Sequence, residues 1–247
     1  MAVYGSRALE ELAAGATPDE ALERVLEQDD ARETRQLGIV TADGRAAAFT
    51  GSDCLDWAGH RVGAAYAVQG NILAREGVVD AMADAFENTD GPLVERLVAA
   101  LEAAQAAGGD RRGQQSAAVV VERTGAHSES REGVDRICDL RVEDHAAPIA
   151  ELRRLVGIWT SWEAGRRANR FYERKEYGHA VEVMHAALAA GEDPLLLYNL
   201  ACYESLAGSA EDALLHLRRA IELDPSYREQ ARGDADFDPV RERASEL

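Results

Sequence analysis

Apolar residues recur at helical spacing in the first thirty positions. Ala8, Leu9 and Leu12 share one helix face, and Gly15 stands where a helix-ending glycine belongs. Thr17-Pro18-Asp19-Glu20 then opens a second helix. Thr17 supplies a cap, Pro18 suits the first helical position, and Glu20 closes a capping box. Ala21, Leu22, Val25 and Leu26 form its apolar stripe, so residues 6–28 are predicted as two helices with Ser6 inside the first. The period then shortens. Residues 36–41 are β-rich, Asp43-Gly44 is a hairpin turn signal, and residues 45–50 return as a second strand. Residues 64–70 fit a third strand, while 78–87 and 92–107 fit amphipathic helices, the second ended by Gly108-Gly109. Residues 115–122 are apolar and β-branched and are predicted as a buried strand; 125–133 is a polar loop, 137–142 a strand and 148–156 a helix.

Strands and helices thus come in blocks, which favours antiparallel sheet covered by helix layers, an α+β class, over a doubly wound parallel sheet. No glycine-rich phosphate loop follows a strand, so nucleotide binding has no support.

From about residue 161 every segment is helical, and two segments align at an offset of 33 residues. Ala168 matches Ala201, Ala180 matches Ala213, Met184 matches Leu217, and Ala187 matches Ala220. Leu197-Tyr198-Asn199-Leu200-Ala201, Gly208, Ala213, Leu217, Ala220 and Pro225 complete the second copy. Over residues 161–227 this resembles the tetratricopeptide repeat family, in which small residues lie where two antiparallel helices touch. Asp193-Pro194 opens a helix, and Ser209 with Asp212 offers the next cap. The pattern departs at Glu204, where the family usually carries an aromatic residue. The resemblance implies protein or peptide binding on a concave face. Two repeats are few for a self-sufficient solenoid, so packing on the neighbouring domain or on a second copy of the chain, as a homodimer, is the competing expectation. Phe237-Asp238-Pro239-Val240 is expected to cap the last helix face.

Composition narrows the partners. Net charge is −18. The acidic excess is spread along the chain, 28 acidic against 16 basic residues up to Gly157 and 17 against 11 beyond it. Such a surface repels nucleic acid and anionic membranes, so neither is expected as a partner. Lys175 is the only lysine, as a GC-rich genome would give, with a salt-adapted host as the less favoured alternative. Cys54, Cys138 and Cys202 have no CxxC spacing, which argues against a disulfide framework and a zinc site; they are read as small apolar side chains. No apolar run is long enough to span a bilayer, the first residues lack the features of a signal peptide, and the cytoplasm is the expected compartment.

The N-terminal segment carries Leu37-Gly38-Ile39-Val40, Ala48-Phe49-Thr50-Gly51, and Cys54-Leu55-Asp56-Trp57-Ala58-Gly59-His60 in order. Ala67-Val68-Gln69-Gly70-Asn71, then Gly108-Gly109-Asp110-Arg111-Arg112-Gly113-Gln114-Gln115-Ser116-Ala117-Ala118, then Asp139-Leu140-Arg141-Val142 follow. Over residues 4–157 this resembles domain-of-unknown-function family ten-twenty-eight, of the N-terminal nucleophile (Ntn) hydrolase superfamily. The resemblance implies a four-layer αββα sandwich and amide (C–N) hydrolysis by the first residue of a mature chain, its own α-amino group serving as base. Family members place strands before the helix matching residues 6–14, whereas this sequence starts almost at that helix, and Met1 is not a nucleophile. The expectation is therefore a sandwich lacking its first strands, from a truncated or mis-started reading frame, with a natural non-catalytic remnant as the rival. The domains are placed at 1–157 and 158–247, the second ending in a capping helix. The function expected is an Ntn-type amide hydrolase domain fused to a protein-interaction module, inactive as given, or alternatively a non-catalytic interaction or scaffold protein.

Candidate chemistry follows from residue type. Asn71, after a predicted strand and a glycine, could donate to an oxyanion or simply stabilise a turn. Asp110 and Arg111, with Arg112, in a glycine-framed loop could orient a nucleophile and hold a substrate carboxylate, or form a local ion pair. Arg112 and His60 are the substrate-binding candidates, His60 lying beside Trp57 in a glycine-rich turn. Ser116 opens a strand and is read as satisfying backbone. His127, His145, His179, His185 and His216 lack metal-ligand spacing, so no metal and no cofactor are expected.

Overall fold

The computed structural model describes residues 3–123, 136–188 and 191–244. The predicted polar loop at 125–133, with His127, lies outside the described residues. The chain divides into two units, Met1–Arg154 and Leu155–Leu247.

In the first unit, helices α1 (Val3–Ala13) and α2 (Pro18–Leu26) occupy the predicted segment. The Thr17–Glu20 capping box forms, with Thr17 Oγ1 accepting from the Glu20 amide and the Glu20 carboxylate accepting from the Thr17 amide. Strands β1 (Gln36–Val40) and β2 (Ala46–Thr50) pair antiparallel across the Asp43-Gly44 turn. Pleat alternation then sorts their side chains. Leu37, Ile39, Ala47 and Phe49 pack on α1 and α2, whose Ala21, Val25 and Leu26 are buried.

The opposite face of this hairpin carries Gln36, Gly38, Ala48 and Thr50, and it lies against a second hairpin, β3 (Gly59–Gly63) and β4 (Tyr66–Gly70). Strand β3 was not foreseen, and it corrects the placement of His60 in a turn. Its Gly-His-Arg-Val-Gly sequence is short and glycine-flanked, and its Ala64-Ala65 turn lacks the Asn-Gly signal although Ala65 takes φ 63°. Glycine makes room at two places. A Cβ on Gly38 would lie 2.5 Å from Gln69 Oε1, and one on Gly63 would lie 2.2 Å from the Tyr66 ring.

Beyond the second hairpin come α3 (Val78–Asn88) and α4 (Leu93–Ala106). Tyr66 meets Phe86 at 5.1 Å between ring centroids, and Arg61 bonds Asp84 at 2.7 Å, so α3 is fixed to β3 and β4. Contacts therefore run helix, hairpin, hairpin, helix. A third antiparallel pair, β5 (Ala117–Glu122) with β6 (Arg136–Val142), contacts α4. Strand β5 buries only alternate residues, Val119 and Val121, which corrects its reading as a buried strand. The result is a mixed helix-and-sheet unit with short antiparallel sheets.

Helix α5 (Pro148–Glu173) runs well past the predicted end at 156. Its first turns join α4 through Arg153, which pairs with Glu95 and, at 2.8 Å, with Glu102.

The second unit is helical: α6 (Tyr177–Leu188), α7 (Pro194–Ala207), α8 (Ala210–Leu223), α9 (Tyr227–Gly233), a 3-10 turn at Ala235–Val240, and α10 (Arg241–Ala244). Ala168, Ala180, Ala187, Ala201 and Ala220 are buried in one core with Leu200 and Leu217. Asp193 caps α7 at 3.0 Å, and Gly208 ends it with φ 86°. Ser209 makes no side-chain cap, contrary to expectation. Phe237 is fully buried against Tyr198, so residues 237–240, expected on the last helix face, pack chiefly on α7. Cys138 and Cys202 are buried and Cys54 is half-buried, all as free thiols. Among the described residues no helix is long and apolar enough to cross a membrane.

Candidate functional site

The exit from β4 and the exit from α4 are sewn together. Leu73 and Asp110 form an isolated antiparallel bridge, the Ala74 amide donates to Gly109 O at 2.9 Å, and the Arg111 amide donates to Ile72 O at 2.8 Å. Gly108 and Gly109 take φ of 133° and 63°, which lets the chain leave α4 and turn sharply towards this bridge. The loop that follows, up to Ser116, forms one wall of a cavity of about 620 Å³. Gln69 and Gly70 of β4, Met82 of α3 and Leu101 and Gln105 of α4 supply the other sides.

Polar groups converge in this cavity. Asp110 binds Arg112 at 2.6 Å and also accepts from the Arg112 amide at 2.7 Å. The Arg112 guanidinium beside it holds the Asp110 carboxyl below the usual carboxylate range. Gln69, Gln105, Gln114 and Gln115 add neutral amides, each both donor and acceptor, and Ser116 is the one hydroxyl on the lining. The surface can thus bind a polar ligand through amide-type hydrogen bonds, with two carboxylates, Asp110 and Asp144, and one cationic group, Arg112, on its lining.

Of the residues singled out in the sequence, Asp110, Arg112 and Ser116 lie on the cavity together. Asn71 and Arg111 flank the bridge but are exposed and outside the lining. His60 is elsewhere: exposed on β3, its Nδ1 meets Thr50 Oγ1 at 2.8 Å, in a solvent-reached polar layer where the two hairpins meet. There Gln36 Nε2 donates to Thr50 Oγ1 and to the backbone oxygens of Gly59 and Gly70, at 2.9–3.1 Å. Gln69, cross-strand from His60, borders this layer and the cavity at once. The glutamines were missed because an amide on a strand or helix has no motif; the Gln114-Gln115 pair inside a flagged loop was the available signal.

A second, apolar cavity of about 510 Å³ shares Gln69, Met82 and Leu101 with the first. Consecutive residues line it on both sides, Ala65 to Gln69 of β4 with its turn and Ala118 to Val120 of β5, so each strand presents an edge, not a face. Among the described residues β4 pairs only with β3, and β5 only with β6.

Metal-ligating side chains gather only in the helical unit, among the described residues. His185, Glu204 and His216 form one group, and Cys202, Asp234 and Asp236 another. The reading of the histidines as lacking ligand spacing looks along one helix; the first group draws on three. In the second, Tyr198 and Tyr172 hydroxyls already bind Asp234 and Asp236 at 2.7 and 2.9 Å, and burial pushes the Cys202 thiol up, which keeps it protonated.

No curated protein matches the chain. A crystal structure of protein SPO2555 from Silicibacter pomeroyi, itself described by the family-model DUF1028, is similar at 34% identity and a TM-score of 0.54. The match covers 64% of this chain, which spans 66% of that one. Residues 1–152, which hold the two hairpins, both cavities and the Asp110 loop, match the family of unknown function DUF1028, and the chain belongs to that family.

Proposed function

We propose that the N-terminal unit is an Ntn-type amide-hydrolase scaffold that binds an amide-bearing ligand, and that the helical unit is a tetratricopeptide-type module for protein or peptide binding. The observation that carries the first part is the amide-rich cavity around Asp110 and Arg112, at the border of a polar layer between two stacked hairpins. The succession of helix, hairpin, hairpin and helix supports the αββα reading. The apolar cavity continuing from the polar one, with a strand edge on either side, favours a ligand with an extended chain, such as an acylated amino acid or a peptide. Asp110 and Arg112 hold the polar end. Asn71 and Arg111 serve as the loop's anchor, and His60 positions Gln69's strand from the inter-sheet layer.

The second part rests on buried alanines at both copies of the 33-residue repeat and on Gly208 at the turn between α7 and α8. The domain split is placed at 157. The protein works in the cytoplasm, without nucleic acid or membrane, and the partner of the helical unit is a protein, a peptide or a second copy of the chain.

A thermal-shift screen of the full chain against amides, acylated amino acids and peptidoglycan fragments tests the ligand class. The expected result is a rise in melting temperature that Asp110→Asn and Arg112→Gln both abolish. Amine release from the same compounds would assign turnover. No shift with any of them would remove the amide reading and leave a non-catalytic interaction protein, which native mass spectrometry of the partner complex would then have to show.

A further inference from the structure

Glu204 is out of place in a helix-repeat core. It lies on α7 with 1% of its surface exposed, next to a cluster of otherwise apolar buried residues. A buried carboxylate without a compensating partner is strongly unfavourable. Two imidazoles meet it. His216 Nδ1, from α8, lies 2.7 Å from Oε2, and His185 Nε2, from α6, lies 3.4 Å from Oε1. The two rings stand edge to face at 5.6 Å. All three ligand atoms fall within 4.8 Å of one another.

We propose that His185, Glu204 and His216 form a binding site for a divalent transition-metal cation, zinc foremost, that fastens α6, α7 and α8 together. Two imidazole nitrogens and one carboxylate oxygen are a zinc donor set, whereas magnesium and calcium take shells of oxygen. With metal–ligand bonds of about 2.0–2.2 Å, neighbouring ligand atoms on a tetrahedral ion stand about 3.4 Å apart. His185 Nε2 already has that spacing to Oε1. His216 Nδ1 lies on the other oxygen, Oε2, at 2.7 Å, and since the three ligand atoms lie within 4.8 Å of one another, side-chain adjustments of about 1 Å bring them around one ion. The His185 side chain is 54% exposed, so the ion has an entry path and its fourth position faces water. Each helix contributes one ligand, so the site exists only when the three helices are packed, and the ion stabilises that packing by mass action. Nothing in it depends on the ligand of the N-terminal unit.

The test uses the full chain, stripped with a chelator and titrated with zinc by calorimetry, with native mass spectrometry for stoichiometry. The expected result is one zinc per chain, a melting transition that rises with zinc, and no comparable uptake of magnesium. His185→Ala removes an exposed side chain and leaves the core intact. It should weaken zinc binding at least tenfold and take away most of the zinc-induced rise, while the metal-free melting temperature stays where it was. Glu204→Gln and His216→Ala should abolish binding, with folding checked by circular dichroism. Absence of one-to-one uptake, equal affinity for magnesium, or undiminished affinity in His185→Ala would each overturn the assignment.

Discussion

The two units of this chain place their polar groups in opposite ways. In the N-terminal unit the polar groups where the hairpins meet keep contact with solvent: Gln36, Thr50 and Gln69 are half-buried and His60 is exposed, with Gln36 reaching Thr50 and backbone oxygens and His60 meeting Thr50. Small residues, Gly38 and Ala48, let those layers approach. In the helical unit the interior is one apolar cluster, and Glu204 and Ser205 are fully buried beside it. Tyr198 and Tyr172 bond the aspartates of the 3-10 turn, and Glu204 faces two histidines. The hairpin stack is limited by how near its strands come, the helical unit by how much side-chain volume fills its core. Removing atoms should therefore hurt the helical unit most, and adding them should hurt the hairpin stack most.

The largest effect should come from truncating the helical core. Leu217 is fully buried, and Leu217→Ala should cost about 2–5 kcal/mol in urea unfolding followed by far-ultraviolet circular dichroism. A loss under about 1 kcal/mol would mean that this core is loosely packed, and the contrast with the first unit would fail.

Adding a single carbon in the hairpin stack comes next. Gly63→Ala places a Cβ against the Tyr66 ring, which is itself held between Phe86 and a hydrogen bond to Glu87. About 1–3 kcal/mol should be lost. Gly38→Ala should cost less, because its Cβ meets the mobile end of Gln69, but it should weaken ligand binding in the shared cavity. Equal losses at the two glycines would show that Gln69 is as fixed as the aromatic ring. Smaller again is the helix cap: Thr17→Ala removes one half of the capping box and should cost about 1 kcal/mol.

What could be foreseen follows the same division. Helices α2, α7 and α8 were legible because capping residues, apolar stripes and small crossing residues are local signals. The hairpin at Asp43-Gly44 was legible for the same reason. Strand β3 was not, since its pairing partner and not its own sequence makes it a strand. At the site, the glycine-framed loop pointed to Asp110 and Arg112, which do meet. His60 was drawn to the wrong neighbours, because a turn and a strand edge share the same glycines. The grouping of His185, Glu204 and His216 is a tertiary fact that spacing along one helix cannot carry.

The smallest expected effect on stability is at the Asp110–Arg112 pair, and it is the most direct probe of the cavity. The two side chains are 31% and 69% exposed, so solvent screens their attraction, and Arg112→Gln should leave unfolding stability nearly unchanged. The titration of Asp110 should change nonetheless. Its carboxyl is held below the usual range by Arg112, through the side-chain bond first and by the backbone amide and charge besides. A folded-state pKa below the unfolded value of about 3.9 gives a stabilisation that is present above that pH and fades as pH falls through the folded value. Nuclear magnetic resonance of the Asp110 carboxyl carbon should show its titration moving upward in Arg112→Gln, towards about 3.9. The Arg112 amide bond to the carboxylate survives the substitution, so the shift should be partial. If Asp110 titrates alike in both proteins, Arg112 does not rest on it in solution, and the charged edge of the cavity is free to swing towards a ligand's carboxylate.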